Sequence, residues 1–63
     1  MNKTHIEPYM NMPVKLVLNS GYIYYGRVKK ADDTTVTIEN PRYGLTTVNL
    51  KTIIGIYEPG VKA

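Results

Sequence analysis

A chain of 63 residues with no cysteine, one histidine and a formal charge of +3 excludes several classes of protein at once. A domain of about 60 residues buries only about 60% of the surface its unfolded chain exposes, and such domains usually need a staple. Disulfides and thiolate metal sites are excluded, and one imidazole with five acids leaves too little for an all-protein metal centre. Neither a metal nor a cofactor is expected. Association with copies of itself is the staple left.

The head, residues 1–12, has no apolar core of the kind a signal peptide carries, and no apolar run approaches the roughly 20 residues of a membrane helix. The chain is expected to be soluble and cytoplasmic, with no membrane partner. Within the head, Thr4 to Glu7 has capping-box spacing, but Pro8 removes a donor just inside that turn. An arm or short helix is expected there, with Tyr9, Met10 and Met12 covering one open end of the domain at 13–60.

From residue 13 the periodicity is two. Val14, Leu16 and Leu18 alternate with Lys15 and Val17, and Tyr24, Gly26 and Val28 with Tyr25, Arg27 and Lys29. Val36 and Ile38 alternate with Thr35, Thr37 and Glu39, then Thr46, Val48 and Leu50 with Thr47 and Asn49, and Ile54 and Ile56 close the series. Alternation enriched in Val, Ile, Thr and Tyr marks half-buried strands. Strands are predicted near 14–18, 21–31, 34–39, 45–50 and 54–58.

Turns fall between them: Asn19-Ser20-Gly21, Asp32-Asp33-Thr34, and the longer loop from Asn40 to Gly44. A 3₁₀ turn is expected at Lys51-Thr52-Ile53, a stop at Glu58-Pro59-Gly60 and a tail at 61–63. Gly26 inside the long second strand predicts a bend there. Five antiparallel strands, one of them bent, describe an all-β, strongly bent SH3-like barrel.

The segment from Val14 to Tyr57 resembles the Sm/LSm (Hfq-like) family. Val14 to Asp33 is similar to the first Sm motif: alternating apolar residues, a turn glycine at Gly21, a second at Gly26, then Val28, Ala31 and an acid. Thr47 to Ile53, followed by Ile54 to Tyr57, stands for the second motif. The resemblance implies a homo-oligomeric ring of six or seven copies that binds single-stranded, U-rich or A-rich RNA. It also implies contacts from the loops after strands two and four, here Asp33, Thr35, Thr37, Asn49 and Lys51. Thr37 stands near the family's asparagine, and Val48-Asn49-Leu50 lacks the arginine of its Ile-Arg-Gly.

Arg27 and Lys29 share one face of the second strand near Lys15, where they would meet phosphates, and Tyr25 or Tyr43 could stack on a base. The segments 45–50 and 54–58 are uncharged up to Tyr57 and read as edges that pair between subunits. Leu45, Val48, Leu50, Ile54, Ile56 and Tyr57 are the expected interface. An enzyme is not expected: His5 and Ser20 are the only imidazole and the only serine, in separate turns, and Asp32 and Asp33 would point apart. The competing reading is a structural or adaptor barrel without nucleic acid.

Overall fold

The structure, a computed structural model, describes residues 1–58. The predicted Pro59-Gly60 stop and the 61–63 tail lie outside the described residues. Five strands form one antiparallel sheet: β1 (Pro13–Leu18), β2 (Ile23–Ala31), β3 (Thr35–Asn40), β4 (Gly44–Asn49) and β5 (Ile53–Tyr57). Their order is β4-β3-β2-β1-β5. No ladder joins β4 to β5 among the described residues, so the sheet is open and these two strands are its edges.

All five strands fall within two residues of the sequence reading, and each difference has a local cause. β2 starts at Ile23 because Gly21, at φ +89°, and Tyr22 still belong to the turn. The Leu18 amide donates to the Tyr22 carbonyl at 2.8 Å, and the Gly21 amide to the Leu18 carbonyl at 2.9 Å. β4 stops at Asn49 because the Asn49 Oδ1 accepts the Lys51 amide at 2.9 Å and starts the 3₁₀ turn Leu50–Thr52.

The long second strand serves two partners. Its residues Ile23 to Arg27 pair with β1, and Arg27 to Ala31 pair with β3. At Gly26 a Cβ would lie 2.8 Å from the Glu39 carbonyl oxygen, so only glycine permits this close approach. The register shift sits further on, between Val28 and Lys30, which leaves Lys29 as the bulged residue.

Alternation sorts the two faces. Val14, Leu16, Leu18, Val28, Val36, Ile38, Val48, Leu50 and Ile53 are buried in one cluster on the concave side. Ile6 completes it, fully buried and supplied by α1 (Lys3–Ile6), a one-turn helix that packs near β3. Its cap is Asn2, whose side chain accepts the Thr4 amide while His5 Nδ1 accepts the Asn2 amide. The box therefore opens two residues before the expected Thr4. A 3₁₀ turn over Glu7–Tyr9 follows, with Pro8 near its start, where a missing amide costs nothing. Tyr9 and Met10 pack on the core as expected, but Ile6 is the residue that seals it. Asn11 and Met12 then bridge to Val28 through two backbone hydrogen bonds.

The turn between β2 and β3 is built on Asp32. Its Oδ1 accepts the Thr34 amide at 2.9 Å and the Thr35 amide at 2.8 Å, and the Thr34 and Thr35 hydroxyls add further bonds. These donors, the Thr34 amide first, lower the Asp32 carboxyl to about 2 from its ordinary 3.8. A depressed carboxyl contributes stability above its unfolded value, and this is lost as pH falls through the folded one. The urea midpoint is therefore expected to drop between about pH 4 and pH 2, and Asp32→Asn is expected to flatten that step. A wild-type midpoint unchanged across this window would count against the assignment.

Candidate nucleic-acid interface

The structure separates the seven RNA-binding candidates into two groups. Asp33, Thr35, Asn49 and Lys51 gather at one end of the sheet. Thr35 is paired with Asn49 in the β3–β4 ladder, and the Leu50 amide donates to the Thr34 carbonyl at 2.9 Å, tying the two loops together. Asp33 and Lys51 are exposed there. Some polar groups of Thr35, Thr37 and Asn49 are engaged within the fold. The Thr35 hydroxyl donates to Asp32, the Asn49 carboxamide caps the 3₁₀ turn, and the Thr37 hydroxyl pairs with that of Thr47 at 3.2 Å. Among the described residues the Asn49 Nδ2, the Asp33 carboxylate and the Lys51 ammonium make no hydrogen bond or ion pair.

Arg27 and Lys29 lie on the convex face instead. The Arg27 guanidinium donates to the Asn11 carbonyl at 2.6 Å, and Lys29 pairs with Glu39 at 3.5 Å on the exposed surface. Such an exposed pair adds little stability, but it halves the charge that this part of the face presents. Lys15 carries the row across the sheet. The registers place Tyr57 beside Lys15 and Lys15 beside Tyr25, so an aromatic–cation–aromatic row crosses β5, β1 and β2 on one face. Arg27 follows Tyr25 two residues along β2, on the same side. The Lys15 ammonium lies 5.5 Å from the centre of the Tyr57 aromatic ring, and that ring rests close over Gly55. Tyr25 and Tyr57 are both about half exposed.

The expected interface residues also divide. Leu45, Ile54 and Tyr57 are exposed on the edge strands, whereas Val48 and Leu50 belong to the core of the single chain and Ile56 packs partly against it. Val48 and Leu50 are buried because the alternation that makes β4 an edge also turns alternate side chains inward. Any contact between copies through these strands would use Leu45, Ile54, Tyr57 and the backbone groups of the edges.

Four tyrosines converge at the other end of β2. Tyr22 and Tyr24 meet edge to face, with ring centres 5.2 Å apart. With Tyr25, Tyr43, Ile38 and Thr46 they line a cleft of about 330 Å³. Tyr43, on the β3–β4 turn, is 76% exposed. The sequence signal for this cleft was three tyrosines within four residues, but nothing in the spacing placed Tyr43 opposite them. A second depression adjoins it, lined by Pro13, Tyr25, Gly26, Arg27, Glu39 and Pro41 among others, and the two share Tyr25 and Asn40.

Comparisons with protein-family models, curated proteins and solved structures find no match to this chain. Among the described residues no helix is long and apolar enough to cross a membrane.

Proposed function

We propose that this chain is an Sm-like RNA-binding protein whose bent sheet acts as a small SH3-like barrel. In this reading it assembles into a homo-oligomeric ring of six or seven copies and holds single-stranded RNA mainly by its phosphates. Two observations support assembly. The edge strands β4 and β5 stand at opposite ends of the strand order, and neither carries a charged residue. A head-to-tail pairing of unlike edges closes into a ring when the rotation allows.

The observation that carries RNA binding is the convex row of Tyr57, Lys15 and Tyr25 with Arg27 beside it. Cations between exposed aromatic faces suit a strand whose phosphates need neutralising and whose bases can stack. Repetition around a ring multiplies a charge of +3 per chain into a strong field. The Thr35 and Thr37 hydroxyls, already bonded to Asp32 and Thr47, argue for shallow preference between U-rich and A-rich strands.

The test is fluorescence anisotropy with labelled oligonucleotides at about 50 and 200 mM salt. Log affinity is expected to fall linearly with log salt, by about a thousandfold or more over that range if six or more phosphates are held. The pair Lys15→Glu and Arg27→Glu is expected to remove most of the binding and flatten the slope. Absence of binding at the lower salt, from a verified ring, would favour the adaptor reading instead.

A further inference from the structure

The two adjoining depressions differ in chemistry, and their junction is what points to a ligand. One is walled by tyrosines, with Tyr22 and Tyr43 exposed at its rim; two such aromatics side by side are more than core filling requires. The other contains Arg27, whose neighbour Glu39 is occupied by Lys29. Tyr25 and Asn40 form the partition between them.

We infer that the tyrosine cleft seats a base of single-stranded nucleic acid while the adjoining Arg27 depression takes the phosphate next to it. The inference rests on the RNA-binding reading above and names a subsite for it. At about 330 Å³ the cleft falls at the small end of ordinary ligand sites, which suits one planar group between aromatic walls. The edge-to-face contact of Tyr22 with Tyr24 holds one wall in place, and Tyr43 lines the same cleft. Asn40 is committed to the fold. Its Nδ2 donates to the Tyr25 carbonyl at 2.7 Å, and its Oδ1 accepts the amides of Arg42 at 2.7 Å and Tyr43 at 3.3 Å. It therefore fixes the β3–β4 turn beside β2, with its Oδ1 already accepting two amides and one of its two Nδ2 donors used. The subsite stacks any base and selects none.

A proline-rich peptide also favours aromatic grooves. The charge here argues for the polyanion: Arg27 lines the adjoining depression, and Glu39, which lines it too, is paired with Lys29.

The experiment compares a labelled single-stranded oligonucleotide with an abasic sugar–phosphate strand of equal length, by anisotropy. Wild-type protein is expected to prefer the base-bearing strand by about 5- to 150-fold, the range of one stacked base. Tyr43→Ala, and separately Tyr22→Ala, should each remove most of this preference and leave the salt slope unchanged. Both side chains are exposed, so neither substitution threatens the core. In wild-type protein the ring resonances of Tyr22 and Tyr43 should move on adding the base-bearing strand and not the abasic one. Equal affinity for the two strands would overturn the subsite while leaving phosphate binding intact, and so would a preference that survives both substitutions. Failure of both strands to bind at about 50 mM salt would overturn the RNA reading together with it. A proline-rich peptide that shifts these resonances where nucleic acid does not would assign the cleft to protein.

Discussion

Gly26→Val is expected to abolish the native fold, read as loss of dispersion in the amide spectrum and of the cooperative urea transition. The first added carbon would lie 2.8 Å from the Glu39 carbonyl oxygen and 3.2 Å from the Ile38 Cβ. The oxygen is backbone in the strand paired with β2, so it cannot swing aside; relief requires the β2–β3 ladder to separate at this pair. Overpacking a tight site costs about 1–3 kcal/mol, more where backbone must move. A domain of this length holds only on the order of 3–9 kcal/mol in total, at about 0.05–0.15 per residue. Gly55→Ala is the internal control. The atoms its Cβ would meet at 2.8 Å belong to the Tyr57 side chain, which is half exposed and can turn outward. Its midpoint should fall far less. A Gly26→Val protein with a wild-type midpoint would show that the β2–β3 pairing does not depend on this close approach.

The second large effect concerns assembly. Wild-type protein at micromolar concentration is expected to scatter light as six or seven chains of 7.1 kDa, and Leu45→Lys or Ile54→Lys to reduce it to one. Both residues are 66% exposed in the single chain, so the new ammonium costs the monomer nothing. In a closed ring the same charge would lie between paired edges, unpartnered and stripped of water, a penalty of several kcal/mol at every interface. Val48→Lys would be a poor probe, because Val48 is buried in the chain's own core and the substitution would unfold it. Each variant should keep the amide spectrum of a folded sheet while its mass falls. A wild-type mass of one chain would refute the ring. A Leu45→Lys particle of unchanged size would show that β4 is not the contact.

Strand number, strand positions and the outer strands were legible in the alternation, because a half-buried strand must send successive side chains to opposite faces. The close approach at Gly26 was legible for a related reason, since a residue without a side chain, amid residues chosen for theirs, marks one; the expected bend there is not what the ladders show, because the register shift lies between Val28 and Lys30. The 3₁₀ turn before β5 was expected at Lys51-Thr52-Ile53 from the break between two apolar pieces, and it lies one residue earlier, at Leu50–Thr52. What local pattern missed was contact at long range. Ile6 looked like part of a loose arm, since one helical turn has no periodicity to read, yet the folded sheet presents a hollow that only this side chain fills. The Lys29 bulge was equally hidden, because an extra residue in a ladder leaves the alternation of its own strand nearly intact.

The candidate site divides along the same line. Arg27, Lys15 and the tyrosines were visible as residue types whose chemistry suits a polyanion. Which of them are neighbours was decided by register: β1 lies between β5 and β2, and this sets Tyr57, Lys15 and Tyr25 in one row. Tyr43 reaches Tyr22 and Tyr24 only because Asn40 ties the β3–β4 turn to the Tyr25 carbonyl. The sequence by itself determined an antiparallel sheet with uncharged edges and a basic, tyrosine-rich surface, since these depend on alternation and composition, which act within a few residues. The tertiary structure alone decided that the Thr35 and Thr37 hydroxyls bond to Asp32 and Thr47, that Val48 and Leu50 point inward, and that four tyrosines line one cleft. Those outcomes depend on which strands pair and in what register, and pairing is settled by burial summed over the whole sheet rather than by any one segment.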